Sequence, residues 1–520
     1  MSFNLEKVFA ALPRTVRATP AVISQDPKGN NLLYCNGSNV YIRNISDPSL
    51  CQVYTDHKYK TAVARYSPSG FYICSGDLSG AIRIWDATQP DHITKNEFQP
   101  FSGEILDLSW TFDSQRIGIV GEGRSTYAAV ILADTGASVG DLRGSGRKIN
   151  SVDFTPKRPH KMVCGSNDNS VIFYNGPPFK FVKKHSLHSR FVNCTKISLN
   201  NDICISASSD MRMLIFDVKT AEHIGEFEQT HKGGIYGIDY NADGTKLVSF
   251  SADKTVKLWD IETKKSIQSL SMGSELEHML TGGLWCKGDT NQVISLSLNG
   301  YLSYIDVSSN QITRQIHGHS TSISSMAKVS DNEYITGSVS GRLCKWTTDP
   351  FDVKKVAEHG NSVTAMCPVA SDSKTFKSGG MDDKLLNVNF DNNEIKQTPL
   401  KAQPKQISFN AKDNHYFVIS DKKIEIYTQD NVFFDEINFT YQISTAIISP
   451  NGKFLFVADL SKPKILIYKY DNGKIESFCE ITEDLFAAVN IFSFSKNGRY
   501  LAVSTLLNSI VIIDIEDDFK

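Results

Sequence analysis

No stretch of this 520-residue chain approaches the run of about 18 apolar residues that a membrane helix needs. The longest candidate near the end, residues 510–513, stops at Asp514. The first ten residues carry Glu6 and Lys7 inside a short apolar stretch, so they do not read as a secretory signal. Excess charge of one sign is also missing. Lys and Arg number 55 against 57 Asp and Glu, a net of −2, which removes the usual electrostatic case for nucleic acid or a membrane surface as partner. The ten cysteines stand singly, with no C-x-x-C pair, which excludes a zinc ribbon or a thioredoxin motif. Unpaired thiols inside apolar runs, such as Cys74 and Cys204, suit a cytoplasmic chain. There is no phosphate loop of the G-x-x-x-x-G-K-[ST] kind, no H-E-x-x-H and no G-x-S-x-G. The expectation is a protein that is not an enzyme and takes no cofactor and no metal.

What the chain does have is a repeat. Ser67-Pro68-Ser69-Gly70 precedes an apolar run, a turn at Ser79-Gly80 and a second run ending at Asp86. The same order returns from Asn241 to Asp260 and again from Ser495 to Asp514. Marks equivalent to Asp86 fall at Asn44, Asp134, Asn175, Asp217, Asp260, Asp306, Thr347, Asn389, Thr428, Lys469 and Asp514. Their mean spacing of about 43 residues lies within the ~40–45-residue period of a propeller blade with a Trp-Asp signature. Trp85-Asp86 and Trp259-Asp260 carry that signature in full, and Trp346-Thr347 carries half of it.

A buried blade needs its polar groups paired. His57, Asp77 and Trp85 in one repeat, and His231, Asp253 and Trp259 in another, are spaced to form a hydrogen-bonded cluster with a serine. A catalytic triad uses the same residue types, but recurrence at blade spacing favours the structural role. The glycine-rich stretches Gly121-Glu122-Gly123-Arg124 and Gly144-Ser145-Gly146-Arg147 lie between strands, open no helix and read as turns. One segment stands apart. Gly176-Pro177-Pro178-Phe179-Lys180-Phe181 combines a stiffened loop with two aromatics, the composition of a partner anchor. Alternation around Lys180 would turn one of the two inward.

Several collinear stretches resemble the actin-interacting protein 1 family. They include Lys7-Val8-Phe9-Ala10-Ala11-Leu12-Pro13, Asp26-Pro27-Lys28-Gly29, Val120-Gly121-Glu122-Gly123-Arg124, Ile149-Asn150-Ser151-Val152-Asp153 and Ser189-Arg190-Phe191-Val192-Asn193, together with the proline loop. The likeness is dense over residues 5–320 and thinner beyond. It implies an all-β fold of two WD-repeat β-propellers and a non-catalytic protein that binds actin filaments with cofilin and promotes their disassembly. A general WD-repeat scaffold or adaptor in another cytoplasmic complex is the alternative. The resemblance further implies a monomer in the cytoplasm and cytoskeleton. It places the cofilin and actin contact on the first propeller, at Glu122, Arg124, Asp168, Phe179 and Phe181. Ser125 and Asn167 stand where animal relatives tend to carry acidic residues, which dilutes that patch.

The expected organisation is an N-terminal strand segment at 1–19, a seven-bladed propeller at 20–319, and a second propeller at 320–520. Only about five repeats are visible in the second. Two fewer than the family's fourteen suggest a shortened product, with two sheet faces left uncovered and a second half less stable than the first. Residues 311–316 supply blade 7 with its own outer strand, whereas nothing after Asp514 is long enough to do so for the last blade.

Overall fold

A computed structural model describes residues 8–124, 126–228, 231–368, 375–390, 392, 394–471, 474–482 and 485–515. Among them the regular structure is strand, apart from a single 3-10 turn at Leu276–His278. The chain divides into two compact units, Met1–Ser320 and Thr321–Lys520. Among the described residues seven sheets lie in the first and five in the second, antiparallel apart from one short parallel pairing. These are blades 1 to 12 in chain order, and all-β propeller architecture accounts for them. The sequence marks fall within the third strand of each sheet, with one exception. Asp86 closes Ile82–Asp86 and Asp514 closes Ile510–Asp514, whereas Asp134 lies just beyond Ala128–Leu132.

The blades have a common logic. Their middle strands, such as Ile203–Ser208 and Met213–Asp217, are buried on both faces because a sheet packs on either side. The outermost strand, such as His223–Glu226, is largely exposed and polar. Neighbouring blades of the first unit are also tied by carboxylates on their innermost strands. Asp107 accepts the Val152 amide at 3.1 Å, Asp153 that of Ile197 at 2.9 Å, and Asp239 that of Trp285 at 3.0 Å. Each bond satisfies a backbone donor at the inner end of a neighbouring sheet.

The first ring closes on itself. Gln25 of blade 1 donates to Trp285 O of blade 7 at 2.6 Å and accepts from the Lys287 amide at 2.9 Å. Leu32 and Tyr34 of blade 1 share one core with Leu284, Ile294 and Tyr304 of blade 7. The leading segment differs from expectation. Among its described residues, 8–19, there is no strand. Pro13 has no N–H to contribute to a ladder, and Leu12 instead fills the core between blades 1 and 7 while its amide donates to His319 O at 2.8 Å. Residues 1–7 lie outside the described residues.

In the second unit each blade packs on the next, as in the shared core of blades 11 and 12 around Phe456, Leu485 and Val503. Among the described residues the two terminal sheets present uncovered faces. Ile323 and Met326 of blade 8 are 55% and 69% exposed, although Val363, Ile443 and Val489, which open the following blades as Ile323 opens blade 8, are fully buried. On blade 12, Ile510 and Ile512 are likewise exposed. Among the described residues blade 12 has three strands, whereas blades 8 to 11 have four.

Candidate partner-binding surface

The histidine clusters come first, because they frame what is unusual about blade 4. In blade 2, His57 Nδ1 lies 3.1 Å from Asp77 and its Nε2 lies 2.7 Å from Ser75 Oγ, which also accepts the Trp85 indole at 3.0 Å. In blade 6, His231 makes the same set with Asp253 at 2.9 Å, Ser249 at 2.7 Å and Trp259. The indole N–H donates to the serine oxygen, and the carboxylate accepts from Nδ1–H. These serines are fully buried, with the indole packed against them, so the clusters hold strands together and offer no room for a substrate.

Two further clusters escaped the sequence because they lack tryptophan. His188 binds Asp210 at 2.9 Å and Ser206 at 2.8 Å, with Phe216 in the indole's place. His359 binds Asp382 at 2.8 Å and Ser378 at 2.9 Å, with Val388 there. The contact with His188 and nearby amides outweighs burial and holds Asp210 at about 2. Burial pushes His231 and His359 below the ordinary imidazole value, against the pull of their aspartates.

The candidate partner residues lie on blades 3 and 4, whose outer edges are knitted together. Blade 3 has three strands because its outer segment leaves after a single bridge between Ile131 and Ser138. Gly140–Asp141 then pairs in parallel with Phe179 and Lys180 of blade 4. Gly140 sits at φ +119°, and a Cβ there would lie 2.4 Å from Phe179 O, so only glycine permits the approach. This backbone bracket supports the start of the strand Phe179–His185, immediately after the two prolines.

Phe179 and Phe181 part company on that strand. Phe179 is fully buried, its ring 5.3 Å from that of Phe154 in the blade 3–4 core. It is a core residue and not a surface contact, which corrects the sequence expectation. Alternation around Lys180 is not the reason, because residues two apart share a face of a strand. Phe179, at the strand's first position beside the Gly140–Asp141 pairing, reaches the core, whereas Phe181 lies further along, over Gly144. Phe181 is 47% exposed. Its ring lies over Gly144, where a Cβ would come within 3.0 Å, and meets Tyr174 edge-on at 6.4 Å.

Glu122 and Arg124 occupy the loop between the second and third strands of blade 3, and both are exposed. Glu122 pairs with Lys148 at 3.3 Å, which links its loop to the entry of blade 4. Among the described residues no contact ties Arg124 to the other candidates, and Ser125 lies outside them. Asp168 fills the equivalent loop of blade 4, but its carboxylate faces inward. Oδ2 accepts Lys184 Nζ at 2.7 Å, the Gly146 amide at 3.3 Å and Ser145 Oγ at 3.4 Å, and Oδ1 accepts the Ser170 amide and hydroxyl. Burial raises its pKa, but the Lys184 amine and the Ser170, Gly146 and Ser166 donors prevail and hold it below the usual carboxylate range. Asn167 is also turned inward, accepting Asn150 Nδ2 at 2.5 Å. The structure therefore gathers Glu122, Asp168 and Phe181 around the loop 143–148, and leaves Glu122 and Phe181 as the exposed members. Lys184, Ser145 and Tyr174 belong to this site and were not singled out from the sequence. The available signal was Ser145 standing four residues before the strand Ile149–Phe154, the place of His188 and His231 in later blades.

Comparison with known proteins agrees with this architecture. The WD domain, G-beta repeat family matches residues 48–86, 136–175, 222–260 and 310–347. Each match begins at or just before the outer segment of one sheet and ends at the third strand of the next in the chain, and the first three matches therefore each span two neighbouring blades of the first unit. WD repeat-containing protein 1 of Gallus gallus is 35% identical over 528 residues, covering 100% of this chain and 86% of the relative. Actin-interacting protein 1 of Drosophila melanogaster is 34% identical over 523 residues, covering 99% of this chain and 84% of the relative. WD repeat-containing protein 1 of Bos taurus reaches 45% over 326 residues, 62% of this chain and 53% of its own length. Similarity at this level along the whole chain, joined to twelve sheets in phase with the repeat, places the protein in the family of WD repeat-containing protein 1 and actin-interacting protein 1.

Proposed function

We propose that this protein binds actin filaments together with cofilin and promotes filament disassembly by differential binding, without catalysis of its own. The observation that carries this reading is full-chain similarity to a relative named for its interaction with actin. A ligand shifts an equilibrium only by the difference in its affinity for the two states. The protein would therefore hold cofilin-decorated segments more tightly than bare filament. Phe181 is the anchor on this reading: a half-exposed aromatic on a strand braced from a neighbouring blade costs little entropy to present. Glu122 lies at the exposed rim, where a carboxylate steers association more than it anchors. The protein would work as a cytoplasmic monomer, with neither nucleic acid nor membrane as partner.

Co-sedimentation with actin filaments, with and without cofilin, tests the reading. Binding is expected to require or be strengthened by cofilin, and Phe181→Ala should weaken it by about 1–3 kcal/mol with an unchanged melting curve. Glu122→Lys should slow association in a salt-dependent way. Absence of sedimentation under both conditions would overturn the reading and leave a WD-repeat scaffold for another assembly. Addition of ATP or EDTA should leave Tm unmoved, and a shift of several degrees would refute the non-catalytic assignment.

A further inference from the structure

Blade 4 builds its aspartate cluster without histidine. Ser145 occupies the position from which His57, His188, His231 and His359 reach their aspartates, and Tyr174 stands where blades 2 and 6 have tryptophan. The missing partner comes from the opposite edge of the sheet. Lys184, on the outer strand two register steps beyond Phe181's neighbourhood and paired with Ile172, extends its amine to Asp168 Oδ2 at 2.7 Å and Gly144 O at 3.0 Å. The same loop is held by Tyr174 Oη, which donates to Arg143 O at 2.9 Å, and by Ser145 Oγ against Ser166 at 2.8 Å.

We infer that Lys184 is a positioning residue for the partner surface: it clamps Asp168 to the Gly144 carbonyl and so fixes the loop 143–147 on which the exposed Phe181 ring rests. Deepening the proposed function, this inference rests on that reading for its partner. The chemistry favours lysine over histidine here. An ammonium carries three donors on a rotatable stem and satisfies a carboxylate and a carbonyl at once, whereas one imidazole nitrogen offers a single N–H. Asp168 already accepts donors on both oxygens, so it too acts on a partner through the loop it organises. Gly144, at φ +124°, has no side chain to shield its carbonyl or displace the Phe181 ring. Lys184 and Asp168 therefore form one unit with one effect.

The full chain carrying Lys184→Met, Lys184→Arg, Asp168→Asn, the Met/Asn double change or Phe181→Ala is assayed by hydrogen exchange and by co-sedimentation with cofilin-decorated filaments. Lys184→Gln replaces the Met variant if that one does not fold. Lys184→Met is expected to speed exchange of the 143–148 amides and to weaken binding roughly tenfold, about as much as Asp168→Asn. The double variant should be no worse than either single one, and Lys184→Arg should recover most of the loss. Wild-type exchange at 143–148 in Lys184→Met overturns the inference, as does undiminished binding by that variant alongside weakened binding by Phe181→Ala. Additive losses in the double variant also overturn it. If no form of the protein binds filaments, the proposed function fails, and exchange at 143–148 alone decides whether Lys184 positions the loop.

Discussion

Blade 6 in the first unit and blade 12 in the second are built from the same pattern, and one pair of residues shows how their surroundings differ. Leu258 and Ile512 both stand two residues before the aspartate that closes the third strand. Leu258 is 4% exposed because blade 7 covers it, in a core with Leu280 and Trp285. Ile512 is 57% exposed. At the other end of the second unit Ile323 is similarly bare, although Ile235, which opens blade 6, is buried. A blade has no core of its own, and its stability comes from its neighbours. The first unit gives every sheet two neighbours by joining blade 1 to blade 7, whereas the terminal sheets of the second unit each bury one face. Full burial of an isoleucine is worth about 1.5–3 kcal/mol, so several exposed ones amount to a substantial deficit. The inter-blade ties differ as well. Blade 10 uses the neutral Gln406 and Ser408 to bind the Ala446 and Ile448 amides at 3.2 and 3.3 Å, where the first unit uses aspartates.

The largest consequence concerns whole units. Limited proteolysis is expected to cut first beyond about Gly318 and to leave a resistant N-terminal fragment of seven blades, because local opening is easiest where burial is least. Uniform resistance with a single melting transition would break the comparison. Next comes the matched pair. Leu258→Ala should cost about 2–5 kcal/mol in denaturant unfolding, and Ile512→Ala should stay within about 0.5 kcal/mol. Equal costs would mean that Ile512 is covered in solution.

Acid provides a smaller effect. Among the described residues the first unit holds three His–Asp–Ser clusters and the second holds one. Asp210 falls from 3.8 to about 2 on folding, so its contribution is complete above pH 4 and is lost as pH drops toward 2. That shift corresponds to roughly 2 kcal/mol. The depressed His231 and His359 add a loss that starts as pH falls below 6.5. Tryptophan fluorescence separates the units, since Trp346 alone reports on the second. Steeper acid loss in the first-unit signal is expected, and parallel curves would contradict it.

A further effect lies at alkaline pH. Lys377 is buried beneath Gln429 and Asn431, which accept its amine, and burial lowers it to about 8. A depressed lysine disfavours its charged form in the folded state, so stability of the second unit should rise between about pH 8 and 10. Lys377→Met should abolish that rise, and its persistence would show that another group is responsible.

Legibility followed the physics of each feature. The twelve marks were readable because every blade repeats the same apolar strands and turns at one period. Trp85 and Trp259 advertised their clusters, although Asp77 stands eight residues before its tryptophan and Asp253 six. The clusters of His188 and His359 were hidden because Phe216 and Val388 replace the indole without removing the hydrogen bonds. At the candidate site Phe179 and Phe181 stand two apart and share a face of the strand, so alternation could not say which one faces solvent. That was decided by Phe154, at the end of the blade's innermost strand, and by the parallel bracket from Gly140–Asp141.

Sequence by itself determined the repeat, the strand-rich class, the family and the absence of a charge imbalance, since each depends on residues close together or on sums over the chain. Tertiary structure alone decided that blades 1 and 7 meet, that Ile323 and Ile512 remain bare, and that Lys184 serves the aspartate a histidine serves elsewhere. Those outcomes depend on contacts between residues far apart in the chain, whose partners are chosen by geometry after the sheets have formed.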